Sequence, residues 1–336
     1  MLPRSLLHAV AALVLCVPSL PAAAKPNIIL IYSDDHGWAD LGAQNSDANI
    51  RTPHLDALAR DGVRFVNGYV SAPQCVPSRA GVLTGRYQQR FGVEDNLKGP
   101  LPLAELTIAE RLKAAGYVSG QVGKWHLEPT PRSEEQAPPE NAHAFLPGGQ
   151  GFDEYWCGPM NTFMASHDLK GTPLAKPPQR LTDPRFRCVW QTEAATNFIS
   201  RHARDPFFLY LAYFTPHVPL QSPEPWFAKT PAHLPLERRQ ALAMIAAMDE
   251  GIGQIRARLR ELSLERDTLI FFIGDNGAPL KEGAVAEEKP ATTKEGHRVL
   301  VNQPGKLRVQ VPEAQAEGVQ LLPLASVRWS QSDVKA

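Results

Sequence analysis

The sequence has no excess of charge of either sign. Its 336 residues include 35 lysines and arginines against 35 aspartates and glutamates. Proteins that bind nucleic acid or a membrane surface need a strong positive excess, so the composition excludes both classes. Beyond the N-terminus the chain also lacks any stretch approaching the roughly 20 apolar residues of a spanning helix. We therefore expect a globular protein that does not bind nucleic acid and has no membrane-spanning helix.

Cysteine is scarce, with four residues in the whole chain. One of them falls in residues 1–24, which are typical of an export signal, because Arg4 precedes a short apolar run that ends in Ala22-Ala23-Ala24. We expect an exported protein, periplasmic or secreted. The cysteines that then remain are Cys75, Cys157 and Cys188. Since export permits disulfides, we expect Cys157 and Cys188 to pair or to stay buried.

Proline, by contrast, is abundant. The chain has 31 prolines, about twice the usual share of roughly 5%, which excludes a coiled coil or a simple helical bundle. Ten of them lie within residues 128–184. We expect this stretch to be a long excursion over the surface that faces the substrate.

Four continuous apolar runs predict strands that are buried on both faces. They are Asn27–Ser33, Val118–Val122, Phe207–Tyr213 and Thr268–Ile273. Helix signals lie in Thr52–Gly62, Thr107–Gly116 and Leu242–Leu262. Thr52 is expected to cap the first helix, and Thr107 with Glu110 has capping-box spacing at the second. The alternation predicts an α/β fold in which a mostly parallel sheet carries helices on both faces.

Polar, potentially reactive residues follow each of these strands. They are Asp34-Asp35-His36-Gly37, Gly123-Lys124-Trp125-His126, Thr215-Pro216-His217 and Gly274-Asp275-Asn276-Gly277. Because ligands bind at the carboxyl ends of parallel strands, we expect these groups to meet at one edge. Any single group could be an ordinary solvated loop, whereas four groups at one edge indicate a functional site.

The acidic members of this set predict a metal site. The three carboxylates of Asp34, Asp35 and Asp275 would repel one another without a cation. Together with Asn276 they offer only oxygen ligands, which Ca²⁺ and Mg²⁺ prefer. The basic candidates around them are Arg79, Lys124, His126 and His217. Such a pocket suits the tetrahedral oxyanion of a sulfate or phosphate ester, although each basic residue also has an ordinary structural explanation.

The most specific segment is Cys75–Arg86, which reads CVPSRAGVLTGR. Its C-x-P-S-R and L-T-G-R elements resemble the signature of the type I sulfatases. The groups Asp34-Asp35, Lys124 with His126, and Asp275-Asn276-Gly277 resemble that family's other motifs in the same order. The resemblance covers roughly residues 26–279. It implies an alkaline-phosphatase-like fold, with a large mixed sheet between helices, and a sulfuric ester hydrolase.

In that family the cysteine is converted to formylglycine by a separate enzyme that reads the motif in the unfolded chain. The resemblance thus implies that Cys75 is modified and that a formylglycine-generating enzyme is a partner during maturation. One hydroxyl of the hydrated aldehyde attacks sulfur, and the second later expels sulfate as the aldehyde re-forms. Pro77, at an expected helix start, would place Cys75 at the positive end of a helix dipole. The alternative is a buried free cysteine before a helix.

The resemblance also implies the roles of individual residues. Calcium ligands are implied at Asp34, Asp35, Cys75, Asp275 and Asn276, and catalytic roles at Cys75, Arg79, Lys124, His126 and His217. Arg79 steadies the hydrate, Lys124 binds sulfate, and His126 orients the nucleophile. His217 lies near the leaving oxygen as a general acid, and Ser166 lies beside the nucleophile. Substrate binding is implied at Lys124, His217 and Ser166.

The resemblance weakens after Gly277. The family continues with a lysine and an E-G-G-x-R-x-P segment, for which the nearest match here is Lys294–Val299. Lys289 and Lys294 are candidates for a second sulfate-binding lysine. Residues 280–336 hold one aromatic residue, Trp329, of the 26 in the chain. We expect a signal peptide over residues 1–24, a catalytic domain over residues 25–279, and a divergent tail over residues 280–336 without the usual C-terminal subdomain.

Three functions remain open at this point. The first is hydrolysis of a small-molecule or carbohydrate sulfate ester, favoured by the sulfatase-like Lys124-Trp125-His126 and Pro216-His217. The second is hydrolysis of a phosphate or phosphonate ester by the same superfamily. The third is an inactive, truncated relative that binds sulfated ligands.

Overall fold

The centre of the protein is a seven-stranded mixed sheet. The computed structural model describes residues 25–65, 68–129 and 142–278. The strands are β1 (Asn27–Asp34), β2 (Val118–Gly123), β3 (Glu154–Cys157), β4 (Thr162–Ala165), β5 (Gln179–Thr182), β6 (Phe207–Pro216) and β7 (Thr268–Gly274). Their order is β5-β4-β3-β2-β6-β1-β7. Neighbours from β3 to β7 pair in parallel, and β4 and β5 pair antiparallel. The predicted mixed, mostly parallel α/β sheet is confirmed.

The four strands predicted from apolar runs stand side by side as β2, β6, β1 and β7. All ten residues of β6 are buried, because this strand lies between two neighbours and beneath helices on both faces. A strand in that position has no polar face to present, which is why its sequence reads as one continuous apolar run.

Within the described residues, five α-helices cover the two faces of the sheet. They are α1 (Pro53–Asp61), α2 (Cys75–Thr84), α3 (Ile108–Ala114), α4 (Arg187–Arg201) and α5 (Leu236–Glu261). Ile29 and Ile31 of β1 belong to one buried cluster, with residues of α1, α4 and α5. Leu30 and Tyr32 belong to the other, with residues of α2 and α3. Successive strand residues thus point to opposite helical layers, and the predicted helices on both faces are confirmed.

The start of α1 is held by a different residue from the one predicted. The Thr52 side chain accepts no capping hydrogen bond. Instead, the buried carboxylate of Asp249 in α5 accepts hydrogen bonds from the amides of His54 (3.1 Å) and Leu55 (2.8 Å). A long-range partner of this kind leaves no local signal in the sequence. The capping box of Thr107 and Glu110, which is local, is present at α3 as predicted.

The proline-rich stretch 128–184 is only partly a surface excursion. Residues 130–141 lie outside the described part of the chain. The remainder contributes β3, β4 and β5, which extend the sheet on one side. The prediction was wrong for these strands because each spans only four residues, too few for a clear periodicity.

The remaining expectations concern cysteines and termini. Cys157 and Cys188 are both buried and free, so of the two alternatives burial is confirmed and pairing is not. The expected export signal (1–24), the tail (280–336) and its candidate lysines Lys289 and Lys294 lie outside the described residues. No helix in the described ranges is long and apolar enough to cross a membrane.

Candidate active site

The polar residues that follow four strands meet at one edge of the sheet. Ser33 of β1 pairs with Gly274 of β7, and Gly123 of β2 pairs with Ala212 of β6. The parallel strands therefore end side by side, as the sequence predicted. The residues that follow them form the candidate active site.

Cys75 is the first residue of α2 and is buried in this site. The amide of Val76 donates a hydrogen bond to Oδ1 of Asn96 at 3.0 Å, which fixes the first turn of the helix. Burial, followed by the charges of Asp34 and Asp275, raises the pKa of the Cys75 thiol to about 12. At neutral pH the thiol is protonated, and because the thiolate is the nucleophilic form, unmodified Cys75 is a poor nucleophile.

Two groups of potential metal ligands converge on Cys75. Asp34, Cys75 and Asp275 form one group, and Asp35, Cys75 and His217 form the other. Within each group the candidate ligand atoms all lie within 4.8 Å of one another. The helix start is thus surrounded by carboxylates from the ends of β1 and β7, which lie far apart in the sequence.

Two buried cations neutralise Asp34. Nη2 of Arg79 donates to Oδ1 of Asp34 at 3.1 Å and to Oδ2 of Asp275 at 3.0 Å. Nζ of Lys124 lies 2.8 Å from Oδ2 of Asp34. Burial alone would raise the pKa of Asp34, but Arg79 and Lys124 hold it well below its usual value. Arg79 therefore ties two acidic strand ends together from the helix above them.

The negative charges of Asp275 and Asp35 are balanced less completely by neighbouring cations than that of Asp34. Burial, with the charge of Asp34 next to it, raises the pKa of Asp275 well above its usual value. Burial likewise raises the pKa of Asp35, whose backbone amide donates to Oδ1 of Asp275 at 3.0 Å. Additional positive charge would therefore stabilise the ionised forms of both carboxylates.

The side chain of Asn276 has a buried oxygen that also favours a positively charged group at this position. Its Nδ2 donates to Oδ1 of Asp35 at 2.8 Å and to the carbonyl of Gly277 at 2.9 Å. Its Oδ1 is buried and has no hydrogen-bond partner among the described residues. An amide oxygen without a hydrogen-bond partner, next to carboxylates whose charge is not fully balanced, is suited to bind a hard cation such as Ca²⁺.

His217 faces the acidic group from the end of β6. Its Nε2 lies 3.5 Å from Oδ2 of Asp35, and its Nδ1 lies 2.7 Å from the carbonyl oxygen of Val218. The imidazole stacks on Phe214 with ring centroids 4.4 Å apart. Because a carbonyl only accepts, Nδ1 is the nitrogen that donates to Val218, and Nε2 is the nitrogen that faces Asp35.

His126 is held in an uncommon backbone conformation, with φ at 60°. Burial, followed by the charges of Lys124 and Arg79, lowers its pKa to about 4. Its buried Nδ1 finds no partner within the described ranges. The adjacent Glu128 accepts a hydrogen bond from the amide of Leu127 at 2.9 Å, which helps to hold the turn. His126 is therefore neutral at neutral pH, with a ring nitrogen available to a bound group.

Ser166 is not brought to this group. Its Oγ accepts from the amide of Tyr155 at 2.9 Å and lies 2.8 Å from Nδ1 of His167. Because β4 runs antiparallel to β3, Ser166 follows β4 toward the opposite edge of the sheet from Cys75. The expectation that Ser166 lies beside the nucleophile is therefore corrected.

Several buried residues that support the site were not singled out from the sequence. The hydroxyl of Tyr210 accepts from Nη1 of Arg79 at 3.3 Å, and Oγ of Ser78 donates to the carbonyl of Asp275. The guanidinium of Arg187 donates to the carbonyls of His217 (2.9 Å) and Pro219 (3.0 Å). Ser78 lies within the C-x-P-S-R motif and could have been found there. Tyr210 and Arg187 lie outside any motif and carry no comparable signal.

Known proteins resemble this chain over most of its length. Residues 26–317 match the Sulfatase family model. The chain is 32% identical to arylsulfatase A of Homo sapiens, over 96% of this chain and 66% of that protein. It is 33% identical to N-acetylgalactosamine-6-sulfatase of Homo sapiens, over 77% of this chain and 51% of that protein. The chain thus spans just under two thirds of the first relative and about half of the second.

A solved structure shares both the fold and the sequence similarity. It is a crystal structure of Ps i-CgsB in complex with k-i-k-neocarrahexaose, with a TM-score of 0.67 and 31% identity. The similarity covers 85% of this chain and 65% of that one.

Proposed function

The chain belongs to the sulfatase family, and from this premise we propose that it hydrolyses a sulfate ester. The observation that carries the proposal is the position of Cys75, at the start of α2 and within 4.8 Å of the carboxylates of Asp34, Asp35 and Asp275. We assign residues 25–279 as the catalytic domain. Relatives named for aryl sulfates and for N-acetylgalactosamine 6-sulfate, and a relative in complex with a carbohydrate, support a small-molecule or carbohydrate sulfate as substrate.

The nucleophile in this proposal is formylglycine derived from Cys75. A thiol with a pKa of about 12 is an unsuitable nucleophile at neutral pH, which supports its conversion. The hydrated aldehyde supplies a hydroxyl for attack on sulfur and a second hydroxyl through which sulfate is released. The start of α2 stabilises the negative charge of the nucleophile and the sulfate, because the first amides of a helix carry partial positive charge.

The metal in this proposal is Ca²⁺, held by Asp34, Asp35, Asp275 and Asn276 with the modified residue 75. These oxygen donors fit a hard cation, and the unpartnered Oδ1 of Asn276 supports a ligand role for that atom. When bound, the ion would lower the cost of negative charge on the nucleophile and on the sulfate oxygens.

The basic residues Lys124, Arg79 and His126 each have a different role in the proposed reaction. Lys124, with its ammonium group at the edge of the acidic cluster, binds the sulfate group. Arg79 holds Asp34 and Asp275 in place beneath the nucleophile. His126, neutral at neutral pH, accepts or donates a hydrogen bond at the nucleophile and so orients it. The roles of Lys124 and Arg79 depend on the burial of their side chains, since a low-dielectric site strengthens these contacts.

His217 is the proposed general acid. With Nδ1 donating to the Val218 carbonyl, a protonated His217 holds its second proton on Nε2, which faces the site beside Asp35. That proton passes to the oxygen of the leaving alcohol as the bond between sulfur and oxygen breaks. The stacked ring of Phe214 keeps the imidazole in the required orientation.

Maturation requires a further partner in this proposal. A formylglycine-generating enzyme would convert Cys75 before the chain folds, because the thiol is buried in the folded protein. Export to the periplasm or the exterior follows from the expected signal at residues 1–24.

Two measurements test the proposal. The protein is co-expressed with a formylglycine-generating enzyme, and the peptide that contains Cys75 is analysed by mass spectrometry. We expect a loss of thiol mass that corresponds to an aldehyde, and a Cys75→Ala variant without turnover. Rates with an aryl sulfate and an aryl phosphate are then compared in the presence of Ca²⁺. An unmodified Cys75, or faster turnover of the phosphate, would overturn the proposal.

A further inference from the structure

The segment that carries the proposed general acid leaves the sheet at the end of β6 and is partly exposed. His217 is half-buried, and Val218 and Pro219 after it are exposed, with 56% of the surface of Val218 accessible. A segment with so much of its surface in solvent has few buried contacts of its own and opens easily. The direction in which the imidazole points therefore depends on a partner from elsewhere in the fold.

That partner is Arg187, the first residue of α4, whose side chain is fully buried. Its Nη2 donates to the carbonyl oxygens of His217 at 2.9 Å and of Pro219 at 3.0 Å. The carbonyl oxygen between them, that of Val218, lies 2.7 Å from Nδ1 of His217. Three consecutive carbonyl groups are therefore hydrogen-bonded, two of them by the buried arginine and the middle one by the imidazole itself. These bonds fix the imidazole relative to α4.

Arg187 also contacts the ring on which the imidazole stacks. Its guanidinium carbon lies 4.8 Å from the ring centroid of Phe214, and the centroid of the His217 ring lies 4.4 Å from the same point. Phe214 is buried in β6, so its ring is held by the sheet. Arg187 thus contacts both supports of the imidazole, the carbonyl groups of its segment and the aromatic ring.

An ordinary ion pair does not explain this arginine. Besides the two carbonyl groups, its hydrogen-bond partners among the described residues are the sulfur atoms of Met160, 3.0 Å from Nη1, and Met244, 3.8 Å from Nη2, and none of these is an anion. Burial lowers the pKa of Arg187 to about 10, so the group is still charged at neutral pH. A charge that is buried without an anion costs stability. An apolar residue of similar length would therefore be favoured here if the position served packing alone.

We propose that Arg187 is a positioning residue for the general acid: it fixes the segment His217–Pro219 and so holds Nε2 of His217 towards the leaving oxygen of the substrate. This inference rests on the proposed function, because it takes His217 as the general acid. Arg187 is fully buried and acts through His217 rather than on the reacting atoms. Its effect should therefore be largest where the leaving group needs a proton.

Two aryl sulfates separate this role from a general loss of structure. Nitrophenyl sulfate releases a phenolate that needs no proton, whereas methoxyphenyl sulfate releases a much more basic one. We expect Arg187→Met to lower kcat for methoxyphenyl sulfate roughly 10–100-fold, the effect of a small misplacement. It should lower kcat for nitrophenyl sulfate less than about threefold, with KM for both substrates nearly unchanged. The control is Arg185→Met, at an exposed arginine paired with Asp183 and Glu193, which should leave both rates unchanged.

Two further variants sharpen the kinetic test. In a His217→Gln background, Arg187→Met should change kcat for methoxyphenyl sulfate less than about threefold, because residues that act through one group are not additive. Arg187→Lys keeps a cationic donor, so its selective loss on methoxyphenyl sulfate should lie between wild type and Arg187→Met. Thermal unfolding shows which variants fold, and Arg187→Lys takes the place of Arg187→Met if the latter does not. Equal losses on the two substrates, or additive losses in the double variant, overturn the assignment.

A spectroscopic measurement tests the positioning role without turnover. Nitrogen NMR of the histidine rings is recorded at about pH 8.5, well above the ordinary histidine pKa of roughly 6.5, and the His217 signals are those missing from His217→Gln. We expect the ring proton on Nδ1 in wild type and in Arg185→Met, since that atom donates to Val218, and a mixture of both tautomers in Arg187→Met. His217 signals that are the same in wild type and Arg187→Met overturn the positioning role. If the wild-type protein turns over neither aryl sulfate, the proposed function fails, and the ring signals alone decide whether Arg187 positions His217.

Discussion

Nζ of Lys124 lies 2.8 Å from Oδ2 and 3.1 Å from Oδ1 of Asp34, and both side chains are almost fully removed from solvent. One residue is proposed to bind sulfate and the other to bind Ca²⁺. Their contact means that a substitution of Lys124 changes the charge on the metal site as well as the anion site. The two functions are therefore better separated with residues that touch only one of them.

Asn276 allows a test of the metal site without a change of charge. Asn276→Ala removes the orphaned Oδ1 and should reduce the rise in Tm that Ca²⁺ causes in the wild-type protein, because stabilisation by a ligand follows its affinity. Thermal unfolding is measured with Ca²⁺ and with a chelator. Asn197→Ala, which removes a side chain bonded to the Leu169 carbonyl, should keep the full Ca²⁺ effect; equal shifts in both variants would argue against Asn276 as a ligand.

His217 should matter most when the leaving group needs a proton. We expect His217→Gln to lower kcat for a sugar sulfate by about 10²–10⁴, and to lower it much less for nitrophenyl sulfate, whose phenolate leaves unassisted. Steady-state kinetics on both substrates give the comparison. The exposed His233 provides a control, since His233→Gln should leave both rates unchanged. An equal loss on both substrates would contradict a general-acid role.

Arg79 should be important for stability as well as for activity. Arg79→Met leaves the buried Asp34 and Asp275 without their shared partner, and breaking a buried ion pair costs about 3–5 kcal/mol. Urea unfolding measures the change in the free energy of unfolding. The control is Arg86→Met: Arg86 is paired with Glu105 at the surface, and such pairs contribute about 0–1 kcal/mol. Similar losses in the two variants would show that Arg79 is not holding the acidic strand ends.

His126 predicts a pH dependence of stability. Its pKa is about 4 in the folded protein against an ordinary value of 6.5, so between these values the unfolded chain binds more protons than the folded protein. The free energy of unfolding therefore falls as the pH drops from 6.5 toward 4. We expect His126 to contribute about 1–2 kcal/mol of this fall, less than the full shift implies because water screens a half-buried ring.

Urea unfolding at several pH values between 7 and 4 checks the His126 prediction. His126→Gln should flatten the dependence, while His233→Gln should keep the wild-type slope. If all three proteins lose stability equally on acidification, other groups cause the fall.

The carboxylate of Asp249 should stabilise α1. Asp249→Ala leaves the amides of His54 and Leu55 without their acceptor, and loss of a helix cap costs about 0.5–2 kcal/mol. Asp249→Asn keeps one acceptor oxygen and should cost less. Urea unfolding ranks the variants, and a larger loss in the asparagine variant would contradict a capping role.

The parts of the fold that depend on local pattern were predicted from the sequence. The apolar runs of β1, β2 and β6 signal strands because central strands of a parallel sheet are buried on both faces. The run of β7 also forms a strand, but the expected burial on both faces was wrong for it, because β7 is the last strand of the described sheet and exposes Leu269 and Phe271. The capping box at α3 is likewise local. In a parallel sheet the carboxyl ends of the strands lie at one edge. The sequence therefore predicted that Asp34, Lys124, His217 and Asp275, which follow such strands, lie close together.

What the sequence did not predict depends on distant partners or on short elements. Asp249 caps α1 from another helix, and Arg187 supports His217 from the start of α4; neither interaction leaves a spacing in the sequence. Ser166 was assigned from a short flanking resemblance, whereas its position depends on β4, whose direction could not be read from four residues. Arg79 was expected at the nucleophile, and its contact with both Asp34 and Asp275 required the three-dimensional arrangement.

The order of strands has a consequence for the timing of synthesis. Both neighbours of β1 in the sheet, β6 and β7, are made long after it, so the layer beneath α2 is incomplete while Cys75 has already left the ribosome. At roughly 5–20 residues per second, the interval between residues 75 and 274 lasts about 10–40 s. During that time the thiol is open to an enzyme that acts on nascent chains. Completion of β7 closes this period, after which the thiol of Cys75 is buried and, under the proposed maturation, shielded from the modifying enzyme.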